Sequence, residues 1–211
     1  MNQTMFALHE EINLNGYVER INHKDAKYMI LNHHYAKRLP SITYAFGLFK
    51  KNELVGVCSF GLPPSNSLCV GICGENFSRN VIELNRLVLL YNEKNQASFF
   101  IAQCLKLLPK PKIVVSYADT SQNHLGIVYQ ATNFLYTGLS DARTEWRMKE
   151  SNLHSKTLCE QYSLEERRNN DNFYVTERPR KHRYIIFLGS KKDKKIFRKN
   201  LNYPIRDYPT K

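Results

Sequence analysis

Residues 43–50 (TYAFGLFK) and 53–62 (ELVGVCSFGL) are two strand-like runs joined by only Lys51 and Asn52. A two-residue connection between such runs commits the chain to an antiparallel hairpin. Gly47, Gly56 and Gly61 interrupt the runs and mark bulges or places where another group approaches the backbone closely. A third run, residues 81–90 (VIELNRLVLL), reads as a central strand. Strict alternation puts Glu83, Asn85 and Leu87 on one face and Ile82, Leu84, Arg86 and Val88 on the other. A glutamate and an arginine inside an apolar strand are costly unless they are paired or functional.

The remaining elements follow from periodicity and punctuation. Residues 17–21 form a first strand, and Asn22 caps a helix over 23–32. The sequence 63–80, opening on Pro63-Pro64-Ser65, reads as a long loop. A helix over 96–108 carries Ala97, Phe100, Ile101, Cys104, Leu105 and Leu108 on one face, with Ser98 in its first turn, where free N–H groups favour anions. Residues 113–115 form a buried strand, a polar cluster runs from Ser116 to His124, and a helical pattern follows through Leu125, Ile127, Val128 and Ala131. Short strands are expected at 134–138, 145–149 and 183–188, a short helix at 156–162, and an extended basic tail from 191. This order predicts an α+β fold: a central mixed, mostly antiparallel sheet with helices on both faces. A core over 1–150 would carry a polar insertion at 151–179 and a last strand with basic tail at 180–211, all within one domain.

Two stretches carry chemistry. Strand, polar loop and helix at 113–134 place side chains at the carboxyl edge of a sheet, where ligands bind. Capping by Asp119 or Ser121 is the structural alternative. The loop 33–40 (HHYAKRLP) adds two histidines, a tyrosine, a lysine and an arginine. A helix C-terminus favours cations, which accounts for Lys37 and Arg38 but not for Tyr35.

The 211 residues carry a net charge of +12, concentrated after Arg178, which favours a polyanion and most simply nucleic acid. Five cysteines (Cys58, Cys69, Cys73, Cys104, Cys159) at these spacings fit reduced thiols, not a disulfide framework or a zinc finger. The first sixteen residues contain acids and no long apolar core, so a soluble intracellular protein without a membrane span is expected.

The element order resembles the GNAT acyltransferase fold, although the segment after the central strand, YNEKNQA at 91–97, lacks that fold's phosphate-loop glycine. More narrowly, HYAKRLP (34–40), GVCSFG (56–61), IELNRL (82–87), Ser98, SYAD (116–119), NHLGIVYQATNF (123–134) and RKHRYIIFLG (180–189) together resemble the Mom family of phage proteins. The resemblance implies a GNAT-like transferase that converts adenine N6 in DNA to a carbamoylmethyl (acetamido) form, protecting phage DNA from host restriction. It would work in the cytoplasm of the infected host cell, on double-stranded DNA, with acetyl-CoA or a related donor. It places catalytic positions at His34, Tyr35, Asp119 and Tyr129 and cofactor-binding positions at Arg86 and Ser98.

These residue types suit such chemistry, with His34 or Asp119 as base, Tyr35 or Tyr129 to orient or protonate, and Arg86 with the Ser98 helix end for phosphate. Tyr35, Tyr117 or Tyr129 could stack on an extruded base. Lys37, Arg38, Arg180, Lys181, Arg183, Lys191 and Lys192 would meet the phosphate backbone, with Lys156, Arg167 and Arg168 adding contacts from the insertion. Such a product joins N6 to a CH₂, whereas acetyl transfer joins it to a carbonyl carbon, so the donor differs or further chemistry occurs. His33, His34, Asp119 and His124 could supply ligands for iron or zinc. Two other readings stand beside this one: a GNAT-type N-acetyltransferase acting on a protein or small amine, and a non-catalytic basic DNA-binding protein.

Overall fold

The computed structural model describes residues 16–91, 93–153 and 155–210. The N-terminal segment read above for a leader lies almost wholly outside them. Strand β1 (Tyr17–Arg20) precedes helix α1 (His23–His33), whose N-cap Asn22 accepts the Asp25 N–H. Strands β2 (Tyr44–Lys50) and β3 (Glu53–Gly61) form the expected hairpin. Lys51 and Asn52 both have positive φ (48° and 64°), the turn geometry that matches strand twist.

The stretch 63–80 is not a loop. It holds helix α2 (Asn66–Cys73) and a 3₁₀ turn (Glu75–Asn80). Ser65 caps α2 by accepting the Leu68 N–H, and small Cys69 and Cys73 with Ile72 supply a buried stripe too short to register as helical periodicity. Strand β4 (Val81–Leu89) leads to α3 (Gln96–Leu107), then β5 (Lys112–Asp119), a 3₁₀ turn (Thr120–Gln122) and α4 (Ile127–Ala131). Strand β5 is thus longer than the apolar run 113–115. Its whole length pairs with β9 (Lys181–Leu188), from Lys112↔Leu188 to Asp119↔Lys181, so Ser116, Tyr117 and Asp119 are strand residues.

Strand β6 (Leu135–Leu139) completes a seven-stranded sheet in the order β1-β2-β3-β4-β5-β9-β6. Only β4 and β5 run parallel, so the expected mixed, mostly antiparallel α+β architecture is present. A two-stranded sheet of β7 (Arg143–Met148) and β8 (Phe173–Arg178) stands apart, with α5 (Ser155–Gln161) and α6 (Leu164–Arg168) between them. Within it Arg167 turns inward instead of facing a partner. It donates to the Tyr162 and Ser163 carbonyls and lies over the Trp146 ring. The basic tail is also corrected: Lys191–Lys199 is helix α7, closed by a Ser190–Asp193 capping box and anchored by Phe197.

Helices cover both faces. On one, α3 packs Phe100, Ile101, Cys104 and Leu105 against Ile82, Leu84 and Val114. On the other, α1 packs on Ala45, Val57 and Val88, while α2 and α7 pack on Val81, Ile113, Val115 and Phe187. The five cysteines are free thiols, four of them buried. No helix among the described residues is long and apolar enough to cross a membrane.

One irregularity positions the site. Ser59 pairs with Arg86 and Phe60 with Leu84, so Asn85 is an extra residue in β4. Its side chain is tied to Ser59 and to the Ser41 carbonyl. The bulge resets the alternation: Leu87 joins Ile82 and Leu84 on the α3 face, while Val88 lies under α1. Arg86 therefore shares a face with Glu83, contrary to strict alternation. The parallel β4–β5 register ends at Leu84↔Ser116, and beyond it the two strands part.

Candidate active site

A cavity of about 380 Å³ opens where β4 and β5 part. His34 and Tyr35 reach it from the end of α1, Glu83 and Arg86 from β4, Tyr117 and Asp119 from β5, and His124 and Tyr129 from the segment through α4. Of the six positions carried over from the family resemblance, His34, Tyr35, Arg86, Asp119 and Tyr129 line this one cavity. Ser98 does not. Its hydroxyl donates to the Asn95 carbonyl (3.0 Å) in the first turn of α3.

His34 caps α1, its N–H donating to the Ile30 carbonyl at 3.1 Å. Its Nδ1 accepts the Ala36 N–H (3.1 Å), so in the neutral ring the proton sits on Nε2. Burial, helped by the neighbouring Arg86 and His124, lowers its pKa to about 4. His34 is therefore a neutral donor at physiological pH, not a ready proton acceptor. Its ring stacks on Tyr35 at 4.4 Å, and Tyr35 meets His124 edge-on at 6.3 Å. Tyr35 is 57% exposed, an aromatic surface at the mouth.

The two carboxylates differ sharply. Asp119 accepts from the Ser121 N–H (3.0 Å) and hydroxyl (2.7 Å) and pairs with Lys181 at 3.0 Å. Burial alone would raise its pKa, but the bonds from Ser121 and Lys181 outweigh it and hold the group ionised. Glu83 has no such partners among the described residues. Burial raises its pKa to about 7, against the pull of Arg86 and Lys181. In the sequence it is visible only as an unexplained charge in an apolar strand, and it is the site residue that pattern reading leaves out.

Arg86 donates from Nη1 to the Asn85 carbonyl (2.6 Å) and from Nη2 to the Arg38 carbonyl (3.2 Å), while its buried Nε has no partner among the described residues. Tyr129 packs between Phe134 and Tyr184, and burial raises its pKa to about 12. The wall carrying it depends on Gly126, whose φ of +72° begins α4 and whose missing Cβ makes room for the Tyr184 ring. Tyr184 in turn donates to the Leu125 carbonyl. Gly126→Ala is expected to cost about 2–4 kcal/mol, from left-handed strain plus overpacking, read as a lower denaturant midpoint.

Among the described residues, no three His, Cys, Asp or Glu side chains come together as a metal-ligand set. His34, Asp119 and His124 share the cavity, but Asp119 is already committed to Ser121 and Lys181, and His33 lies outside the wall. The residues as arranged do not fit iron or zinc.

The expected nucleic-acid contacts divide. Lys37, Arg180, Lys191 and Lys192 are exposed, and Arg38 lies half-buried beside Arg86. Lys181 is engaged by Asp119, and Arg183 is buried, bonded to Thr137 and laid against the Tyr203 ring at 3.3 Å.

A family model described as the Mom protein family matches residues 15–210. The methylcarbamoylase Mom of Escherichia phage Mu is 29% identical over 204 residues, spanning 91% of this chain and 83% of that protein. Among solved structures, a GNAT-family acetyltransferase from Bacillus cereus is 11% identical, covering 82% of this chain and 98% of its own, with a TM-score of 0.46. A putative acetyltransferase from Salmonella typhimurium, solved with acetyl-CoA, is 9% identical, covering 84% and 96%, with a TM-score of 0.47.

Proposed function

The chain belongs to the Mom protein family, and from that premise we propose that it is a GNAT-like transferase converting adenine N6 in phage DNA to a carbamoylmethyl form. The observation that carries this reading is the meeting of His34, Tyr35, Arg86, Asp119 and Tyr129, from four parts of the chain, around one cavity.

The exocyclic amine of adenine is a weak nucleophile because its lone pair is delocalised into the ring. Forming an N6–C bond replaces one N–H, so a proton must leave as the bond forms. Glu83, with a pKa of about 7 and no hydrogen-bond partner among the described residues, suits that proton better than Asp119 or His34. His34, held with Nε2–H outward by Ala36, suits donation to charge developing on the donor. Asp119 pairs with Lys181 at the cavity wall and so offsets part of the positive charge that Lys181 presents to Glu83.

An acetyl-CoA-like donor finds two features. The unpartnered Nε of Arg86 can satisfy a ligand oxygen, and α3 begins without a side-chain cap or an acid in its first turn. The carbon that N6 attacks would be the CH₂ of a donor that already carries the amide. As the N6–C bond forms, the bond from that CH₂ to its leaving group breaks and the leaving group keeps the electron pair. Attack on a thioester carbonyl would give an N6-acetyl product instead. The exposed lysines of α7 suit the DNA backbone. Neutralising Lys191, Lys192, Lys194 and Lys195 is expected to flatten the salt dependence of DNA binding, by roughly 0.9 in log–log slope for each phosphate no longer paired with a lysine. An unchanged slope would make that helix a solvated surface.

Mass spectrometry of nucleosides from DNA of cells expressing the protein tests the reading. A carbamoylmethylated deoxyadenosine is expected. Unmodified adenine alongside acetyl-CoA turnover on an amine would favour an acetyltransferase instead.

A further inference from the structure

A second cavity, of about 390 Å³, borders the first. Glu83, Tyr117 and Lys181 line both cavities, so a ligand in either reaches the same carboxylate. Two aromatic side chains line the second cavity, Tyr117 and Tyr203, the latter with the Arg183 guanidinium over its ring at 3.3 Å. Its outer rim carries Arg143 and Arg178, the first residue of β7 and the last of β8, both exposed. Arg178 has only a long contact to Glu145 at 3.9 Å, and Asp141 is the single acid at this rim. Two aromatic rings, a carboxylate and two exposed arginines around one cavity together match an aromatic base with an amino group and a phosphate. The volume lies within the range of small-molecule sites, roughly 300–1,000 Å³.

We propose that this second cavity is the chamber for the extruded adenine nucleotide, with its exocyclic amine toward Glu83 and its phosphate at Arg143 and Arg178, while the first cavity holds the donor. The assignment rests on the adenine-modification reading and gives each of two substrates its own entrance. It accounts for a half-buried glutamate, without a hydrogen-bond partner among the described residues, on the lining that the two cavities share. It also gives the two-stranded β7–β8 sheet a role, since the end that carries Arg143 and Arg178 would hold the strand from which the nucleotide turns out.

The test measures binding without turnover. The full chain is titrated with deoxyadenosine monophosphate and with thymidine monophosphate. Wild type is expected to bind the adenine nucleotide saturably and at least fivefold more tightly. Ser67→Trp, on the exposed first turn of α2 at the cavity wall, plugs the space without changing charge and should erase that preference. Arg143→Ala/Arg178→Ala should weaken both nucleotides at least tenfold. His34→Ala, on the wall of the first cavity only, should leave both affinities unchanged. Matched thermal midpoints establish that the variants are folded. No adenine preference in wild type, or wild-type binding by Ser67→Trp, overturns the assignment. Nucleotide binding as described, with unmodified adenine in cells, would retain the chamber and reject the modification chemistry.

Discussion

Glu83→Gln should reduce adenine modification by at least a hundredfold and, above neutral pH, make the folded protein more stable than wild type. Both effects have one cause. Glu83 lines both cavities, half-buried, with no hydrogen-bond partner among the described residues, and desolvation raises its pKa to about 7. Between about pH 4.5 and 7 the folded chain holds a proton that the unfolded chain has released. Stability is therefore full below the unfolded pKa and falls as pH rises through about 7. The loss is on the order of 3 kcal/mol once Glu83 is ionised. Glutamine keeps the shape and cannot ionise, so unfolding midpoints of the variant should show a smaller decline between about pH 5 and 8. The rate loss follows because a positioned base contributes about 10²–10⁴. Retained modification in the glutamine variant would remove Glu83 from the chemistry.

Asp119→Asn should behave differently, moving the pH profile as well as lowering activity. The Asp119 carboxylate takes two hydrogen bonds from Ser121 and the charge of Lys181. Neutralising it frees Lys181, which already lines both cavities beside Glu83 and pulls its pKa down. Arg86, on the same face, pulls in the same direction, while His34 stays neutral above about pH 4. Glu83 should then ionise at lower pH. The acid limb of the activity profile should shift down by about one unit, and its maximum should drop at least tenfold as Glu83 becomes a weaker base and Lys181 moves. Activity lost with no displacement of the acid limb would make Asp119 the proton acceptor itself.

Much of the framework is legible in the residues. The hairpin around Lys51-Asn52, the Asn22 cap and the apolar face of α3 all form as their patterns require. The meeting of His34, Tyr35, Arg86, Asp119 and Tyr129 is legible only as family resemblance, because their convergence depends on the parting of β4 and β5. What local pattern misses has specific causes. The bulge at Asn85 turns Arg86 to the side of Glu83, and no two-residue periodicity reports an inserted residue. Helix α2 is hidden by its proline-serine entry and small cysteine stripe. Helix α7 has little apolar surface beyond Ile196 and Phe197, so its capping box, not its periodicity, is the signal. Glu83 stands out in the sequence as a costly charge, but its value lies in lining two cavities, which only the folded sheet creates.

The fraction of adenine carrying a carbamoylmethyl group, measured by mass spectrometry in DNA from cells with matched levels of wild type and Glu83→Gln, tests this account most directly. Modified adenine with wild type and its loss in the folded glutamine variant is the result expected. Unmodified adenine with both proteins, or equal modification by both, would contradict it.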